Sequence, residues 1–121
     1  FIKKYGGKSL TAWGIQEQSN ALSHMKFGKA NGTKILSEKE KMPKLTGSVG
    51  LSVCLDAFSG IRGVSAPCFS GLAPEAGVAA VEAYRKNSRW LGIYECAPRY
   101  DPLNEDSARL AALLAHRFIH I

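Results

Sequence analysis

Short apolar runs alternate with helix-like segments along this 121-residue chain, and that order constrains the fold more than any other feature. In chain order, strand-like runs and helical segments lie at residues 10–15 (strand), 19–29 (helix), 33–36 (strand), 49–55 (strand), 74–86 (helix), 90–94 (strand) and from 107 onward (helix). Strands that alternate with helices predict a parallel sheet with helices on both faces, and therefore an α/β fold.

The boundaries of these elements follow from local chemistry. Ser19 is a good helix N-cap, and a helix from there would bury Leu22 and Met25 before the Asn-Gly pair at residues 31–32 stops it. The nearly continuous apolar run at 49–55 predicts a strand covered on both faces. Helical spacing in the last segment places one apolar stripe on Leu110, Leu113, Leu114, Phe118 and Ile121.

Composition and charge exclude several classes of protein. Hydrophobic residues make up 45% of the chain and charged residues 21%, which is typical of a globular protein. No apolar run approaches the roughly 18 residues of a membrane helix. The net charge of +6 arises within residues 1–45, which hold nine Lys and three Glu. These lysines are scattered and lack interleaved aromatic residues, so we expect a solvated face and neither a nucleic-acid partner nor a membrane partner.

The cysteines and the chain ends add two expectations. Cys54, Cys68 and Cys96 are odd in number and form no CxxC pair, so they favour a reducing, cytoplasmic location without disulfides. The chain begins without Met or a secretory signal, and we expect it to be a piece of a longer protein. The charged stretch 37–48, with Pro43 and Gly47, reads as a loop or a gap.

Acidic residues stand at the end of three of the predicted strands. Glu17 comes just past the first, Asp56 ends the third and Glu95 ends the fourth. Ligands of parallel sheets bind at the carboxyl ends of the strands. Three converging carboxylates would make a cation site, whereas three solvated turn residues would have no such role. Spacing alone leaves both interpretations open.

Several segments resemble the ureohydrolase superfamily of arginase, agmatinase and formimidoylglutamase. Residues 51–58 (LSVCLDAF) resemble its Ser-x-Asp-x-Asp-x-x-Asp metal motif, and residues 93–98 (IYECAP) are similar to its Glu-x-Asn-Pro. The GVSAP loop at 63–67 resembles that of formimidoylglutamases more than that of arginases. Residues 13–20 and 101–118 resemble a strand-turn-helix and the closing helix. The whole of 1–121 would then be the carboxyl-terminal part of a single three-layer α/β/α, arginase-like domain.

The resemblance implies hydrolysis of N-formimidoyl-L-glutamate to L-glutamate and formamide in histidine catabolism. It implies two Mn²⁺ ions that bridge the attacking hydroxide, with Asp56 as a metal ligand and Cys54 at a ligand position that is normally Asp. Manganese prefers such hard oxygen ligands. Glu95 falls on the acid that meets the amidine or guanidine end of the substrate. Arg62 stands in the motif loop, where it would meet the substrate carboxylate or remain solvated.

The chain departs from the family pattern in ways that keep alternatives open. Cys54 is a soft thiol, so it would ligate as thiolate, leave one metal weakly held, or be inert. The ligand motifs Gly-Gly-Asp-His and Asp-Ala-His-x-Asp are both missing, so we expect the chain alone to be inactive. His116 and His120 have a metal-clamping spacing, although a surface or packing role is favoured.

Three functional hypotheses therefore remain for the longer protein. The first is a formimidoylglutamase that uses manganese, with a small-molecule substrate and a homo-oligomeric assembly. The second is a guanidino hydrolase of the arginase or agmatinase type. The third is a metal-free, non-catalytic arginase-like protein that has lost metal binding because Cys54 replaces a carboxylate ligand.

Overall fold

The chain divides into two compact units, Phe1–Pro43 and Lys44–Ile121, in a computed structural model that describes residues 1–120. Each unit contains one pair of parallel strands with helices before, between or after them. The predicted α/β class with parallel strands is therefore confirmed. None of the helices in the described part of the chain has the length and apolar content needed to cross a bilayer.

The first unit is a short strand-helix-strand segment preceded by a helical turn. Its elements are α1 (Ile2–Tyr5), β1 (Thr11–Ile15), α2 (Leu22–Ala30) and β2 (Lys34–Ser37). The two strands pair in parallel with Ala12 opposite Ile35, and the register shifts after Trp13. Gly14 has a φ of 82° at that shift, a backbone angle that glycine adopts without steric cost.

The helix α2 begins later than its sequence indicates. Ser19 is the last residue of a 3₁₀ turn, Glu17–Ser19, and provides no cap. The Asn20 side-chain amide donates to the Gln16 carbonyl at 2.8 Å, which extends the turn and delays the helix to Leu22. Leu22 is 65% exposed, so its predicted burial is wrong. The predicted stop is confirmed, because α2 ends at Ala30 and Gly32 has a φ of 83°.

The second unit contains the longer strands and helices. They are β3 (Val49–Cys54), α3 (Pro74–Tyr84), β4 (Ser88–Tyr94) and α4 (Asp106–Ile119). The strands β3 and β4 pair in parallel. Residues 38–48, which lead into β3, contain a turn but no helix or strand. The residues of β3 are half-buried or exposed within this unit, whereas the sequence predicted cover on both faces.

The core of the second unit lies under α3 and α4, which pack against each other. Val81 of α3 and Leu114 of α4 are fully buried, and Leu110 is nearly so. An ion pair at 3.2 Å joins Arg117 of α4 to Glu82 of α3. The predicted apolar stripe of the last helix is thus confirmed at Leu110 and Leu114. Leu113 is 40% exposed, and Ile121 lies outside the described residues.

Gly77 provides a test of the packing of α3. A Cβ atom at this position would overlap the buried ring of Phe58. We expect Gly77→Ala to destabilise the protein by about 1–3 kcal/mol, because overpacking outweighs the gain in helix propensity of about 1 kcal/mol. Chemical denaturation of the full-length protein measures this change.

The exposed Ala79 on the same helix offers the matched control. Ala79→Gly should lower stability by about 1 kcal/mol or less, since it changes helix propensity alone. If Gly77→Ala raised the free energy of unfolding instead, α3 would not approach Phe58 as the structure shows.

Candidate functional site

The parallel pairing of β3 and β4 brings their carboxyl ends to one edge of the sheet. Cys54, the last residue of β3, lies opposite Tyr94, the last residue of β4. Asp56 follows Cys54 by two residues, and Glu95 comes directly after Tyr94. Side chains that are 39 residues apart in sequence therefore share one site because of strand register alone.

Asp56 does not lie on the strand, contrary to what the sequence suggested. The strand β3 stops at Cys54, and a 3₁₀ turn, Leu55–Ala57, follows it. Leu55 is fully buried, and its burial turns the chain at this point. The two-residue alternation of a strand therefore does not relate Cys54 to Asp56. The turn nevertheless keeps the pair together, because the Cys54 thiol and the Asp56 carboxylate share a side-chain hydrogen bond.

The Cys54 thiol is held in its neutral form. Burial, followed by the side-chain hydrogen bond to Asp56 and the negative charge of Asp56, raises its pKa from an ordinary value of 9.0 to about 12, although a hydrogen bond from the Asp56 backbone acts in the opposite direction. The charge of Glu95 adds to the effect, which shows that Glu95 lies within electrostatic reach of this thiol. At neutral pH Cys54 is thus a hydrogen-bond donor and not a thiolate.

Glu95 projects from the end of β4 in a conformation that is rare for its residue type. Its φ is 63°, and its side chain is exposed. The Ser65 hydroxyl donates a hydrogen bond to the Glu95 carboxylate. Non-glycine residues in this backbone region persist where surrounding contacts hold them, and such residues concentrate at functional sites.

Ser65 is the residue of this site that sequence reasoning missed. No motif places a base beside it, so its hydroxyl was given no role. The available signal was its position inside the GVSAP segment, which carries the family resemblance. The structure shows that the hydroxyl is a partner of Glu95.

The backbone fixes the loop that carries Ser65 against the segment that carries Glu95. The amide of Ala97 donates to the carbonyl of Gly63 at 2.7 Å. Gly63 has a φ of 76°, and a Cβ atom there would lie 2.7 Å from the Ser107 hydroxyl. Glycine is therefore required at a close approach that positions Ser65 beside Glu95.

Arg62 lies beside a different pair of carboxylates. Its Nε atom is 3.5 Å from Asp106 Oδ2 and 3.9 Å from Asp101 Oδ2 at the start of α4. The side chain is 65% exposed. The role of Arg62 in binding a substrate carboxylate stays a prediction, and the structure gives it a role in joining the loop to α4.

Asp101 organises the chain that leads into α4. Its buried carboxylate accepts hydrogen bonds from the Asn104 amide at 3.3 Å, the Asn104 side chain at 3.2 Å and the Asp106 amide at 3.4 Å. Burial acts to raise the pKa of Asp101, but these hydrogen bonds and the charge of Arg62 lower it overall from the ordinary value of 3.8. In its charged form the carboxylate therefore holds the turn before α4 and accepts a hydrogen bond from the first amide of that helix.

The other candidate residues lie on other elements of the chain. Glu17 lies in the first unit, in the 3₁₀ turn after β1. The rings of His116 and His120 stand 5.1 Å apart at the end of α4. Within residues 1–120, no group of three or more His, Cys, Asp or Glu side chains is placed to hold a metal ion. Asp56 and Glu95 belong to the second unit, and the two interpretations of the strand-end acids stay open.

Cys54 and Asp56 do not by themselves fit a manganese site. Manganese prefers several hard oxygen or imidazole ligands, whereas this pair offers one carboxylate and one soft sulfur atom. What the pair can do directly is to donate and accept hydrogen bonds at the sheet edge. The exposed carboxylate of Glu95 adds a site for a planar cation with N–H donors.

Comparison with solved structures identifies the fold as arginase-like. Formimidoylglutamase from Bacillus subtilis superposes with a TM-score of 0.84 at 22% identity, covering 97% of this chain and 43% of that protein. Trypanosoma cruzi formiminoglutamase with Mn²⁺ gives 0.81 at 16%, covering 94% and 44%. Arginase from Bacillus caldovelox gives 0.81 at 19%, covering 100% and 46%. The chain thus spans less than half the length of each of these structures.

The sequence profile described as "Arginase family" matches residues 8–120. The chain belongs to the arginase family. A comparison with curated proteins gives no match.

Since the Asp101 carboxylate accepts its hydrogen bonds in the charged form, we expect the stability of the fold to change with pH. Because folding lowers the pKa of Asp101, its contribution is fully present above 3.8 and is lost as the pH falls through the lowered value. We expect Asp101→Asn to destabilise the full-length protein at neutral pH, and the difference from wild type to shrink in acid. Urea denaturation across this pH range measures it.

Glu75→Gln, the same charge change at an exposed residue of α3, serves as the control. A difference for Asp101→Asn that stayed constant down to the lowest pH at which the protein folds would show that the charge of Asp101 does not stabilise the fold.

Proposed function

We propose that the protein containing this chain hydrolyses N-formimidoyl-L-glutamate to L-glutamate and formamide. The observation that carries the proposal is the exposed Glu95 carboxylate, fixed by Ser65 at the sheet edge beside Cys54 and Asp56. The resemblance of the GVSAP loop and the likeness to two formimidoylglutamase structures support this choice of substrate.

Glu95 is suited to bind the formimidoyl end of the substrate. A protonated amidine is a planar cation whose N–H groups point at a carboxylate in a charge-assisted, bidentate arrangement. Ser65 donates to the same carboxylate and so limits its rotation. Binding in one orientation would present the amidine carbon to the Asp56 side of the site, which lowers the entropic part of the barrier.

Manganese dependence belongs to the proposal for the whole protein. It is supported by the T. cruzi formiminoglutamase described with Mn²⁺ and by the sequence resemblance. Asp56 is the residue of this chain that we propose as a ligand. Cys54 and Asp56 do not by themselves supply the ligands for two manganese ions.

The setting of this reaction follows the same proposal. Formimidoylglutamate hydrolysis is a step of histidine breakdown, and a cytoplasmic location agrees with the odd number of cysteines. The residues of β3 are half-buried or exposed, and Trp90 of β4 is 50% exposed. This exposure supports an assembly in which further protein covers the sheet, and a second copy of the protein in a homo-oligomer is one such cover.

The proposal predicts turnover that depends on Glu95. With manganese present, the full-length protein should release formamide from N-formimidoyl-L-glutamate. Glu95→Gln should lower kcat/KM on the order of 100-fold, because the charge that pairs with the amidinium is lost. A coupled formamide assay measures the change.

Glu105→Gln is the matched control, since Glu105 is also exposed and has a φ of 55° but lies at the start of α4. Urea release from arginine or agmatine without formamide release would identify a guanidino hydrolase instead. No turnover of either substrate class at millimolar concentration would reject the hydrolase proposal.

A second candidate function is favoured by Cys54 alone. A soft thiol occupies the position where the resemblance implies a hard carboxylate ligand. A protein with this change would be a metal-free, non-catalytic member of the arginase family with a role in assembly or regulation. This candidate needs neither turnover nor stoichiometric manganese.

Metal content separates the two candidates. We expect Cys54→Asp to raise manganese affinity by about 10-fold or more, because a hard anionic ligand replaces a neutral thiol. Cys54→Ser, which remains neutral and similar in size, should give no such gain. Elemental analysis of the full-length proteins after dialysis measures the retained metal.

Stoichiometric manganese in the wild-type protein supports the hydrolase, and its absence together with absent turnover supports the non-catalytic candidate. Equal manganese retention by wild type and Cys54→Asp would contradict the inference that Cys54 weakens the site.

A further inference from the structure

An open cleft of about 480 Å³ lies at the amino ends of β3 and β4, at the opposite end of the strands from Glu95. It is lined by Gly47, Ser48, Lys86, Asn87, Ser88 and Arg89. We propose that this cleft binds an oxyanion with at least two negative charges, a phosphate group being the chemical class that fits it. The proposal is independent of the hydrolase function.

The charged side chains that line the cleft have one sign. They are Lys86 and Arg89, and no Asp or Glu is among the described residues that line the cleft. Glu82, the nearest acid before them in sequence, forms an ion pair with Arg117 of α4. Residues 46–121 have no net charge, so the excess of positive charge at the cleft is local.

Arg89 is held in place before any ligand binds. Its Nε atom donates to the Ser48 hydroxyl at 3.1 Å, which joins the start of β4 to the residue before β3. Because the Ser48 hydroxyl oxygen accepts this bond, its O–H group can still donate a hydrogen bond to an anion. A guanidinium fixed in this way loses less side-chain freedom when it binds an oxyanion.

Ser88 occupies two carbonyl groups at the end of α3 and its 3₁₀ extension. The Ser88 hydroxyl donates to the Tyr84 carbonyl at 2.9 Å, and the Ser88 amide donates to the Arg85 carbonyl. These two carbonyls at the end of α3 and its 3₁₀ extension are thus engaged within the chain.

The cleft and the Glu95 edge are separated by the length of β3. Six residues at about 3.3 Å each span roughly 17–20 Å, so one small ligand cannot occupy both places. Binding at the cleft and hydrolysis at the other edge are therefore measured independently, and failure of one leaves the other standing.

Titration of the full-length protein with inorganic phosphate and with pyrophosphate, at constant ionic strength, tests the cleft. We expect saturable binding by calorimetry, tighter for pyrophosphate, and a rise in thermal stability with ligand concentration. Arg89→Gln should weaken binding by about 10-fold, and Ser48→Ala by a smaller factor because it frees Arg89.

Arg109→Gln removes the same charge from an exposed site on α4 and should leave the affinity unchanged. Equal weakening by Arg89→Gln and Arg109→Gln would show general charge attraction and overturn the site. Absence of saturable binding up to about 10 mM ligand would overturn it as well.

Discussion

The register of one parallel strand pair determines the rest of the second unit. Pairing of Cys54 with Tyr94 sets the carboxyl ends of β3 and β4 side by side, so that the turn after one strand meets the residue after the other. A shift of one residue would reverse which face each side chain occupies. The buried Leu55 and the close approach of Gly63 to Ser107 hold the loops in that register. Asp56, Ser65 and Glu95 are neighbours for this reason.

The chemistry at this edge depends on a proton that Cys54 keeps. Burial and two nearby carboxylates raise the pKa of its thiol, so the neutral form persists where the family resemblance implies an anionic ligand. The same proton is shared with Asp56, which ties that carboxylate to the thiol.

The sequence predicted most of the elements but only part of the site. Continuous apolar runs and Pro74 marked β3, β4 and α3 to within a few residues. Glu95 followed from its place at a strand end. The 3₁₀ turn that contains Asp56 could not be predicted from the apolar run at 49–55. That run includes Leu55, which is buried in the turn and not in the strand.

Contacts between distant segments account for what the sequence could not show. The bond between Ser65 and Glu95 joins residues thirty positions apart, and no local pattern encodes it. Ser19 has the chemistry of a helix cap, but the bond from Asn20 to Gln16 makes a turn there instead. Arg62 carries a charge suited to a substrate, yet the start of α4 supplies carboxylates near it.

The reactivity of Cys54 tests the assembled edge most directly. Alkylation of the full-length protein between about pH 7 and pH 9, followed by mass spectrometry of the Cys54 peptide, should show slow reaction, with the exposed Cys96 as an internal reference. Asp56→Asn should accelerate the reaction, because it removes a negative charge that raises the thiol pKa. A thiol that reacts with an ordinary pKa near 9.0, unchanged by Asp56→Asn or Glu95→Gln, would contradict the account.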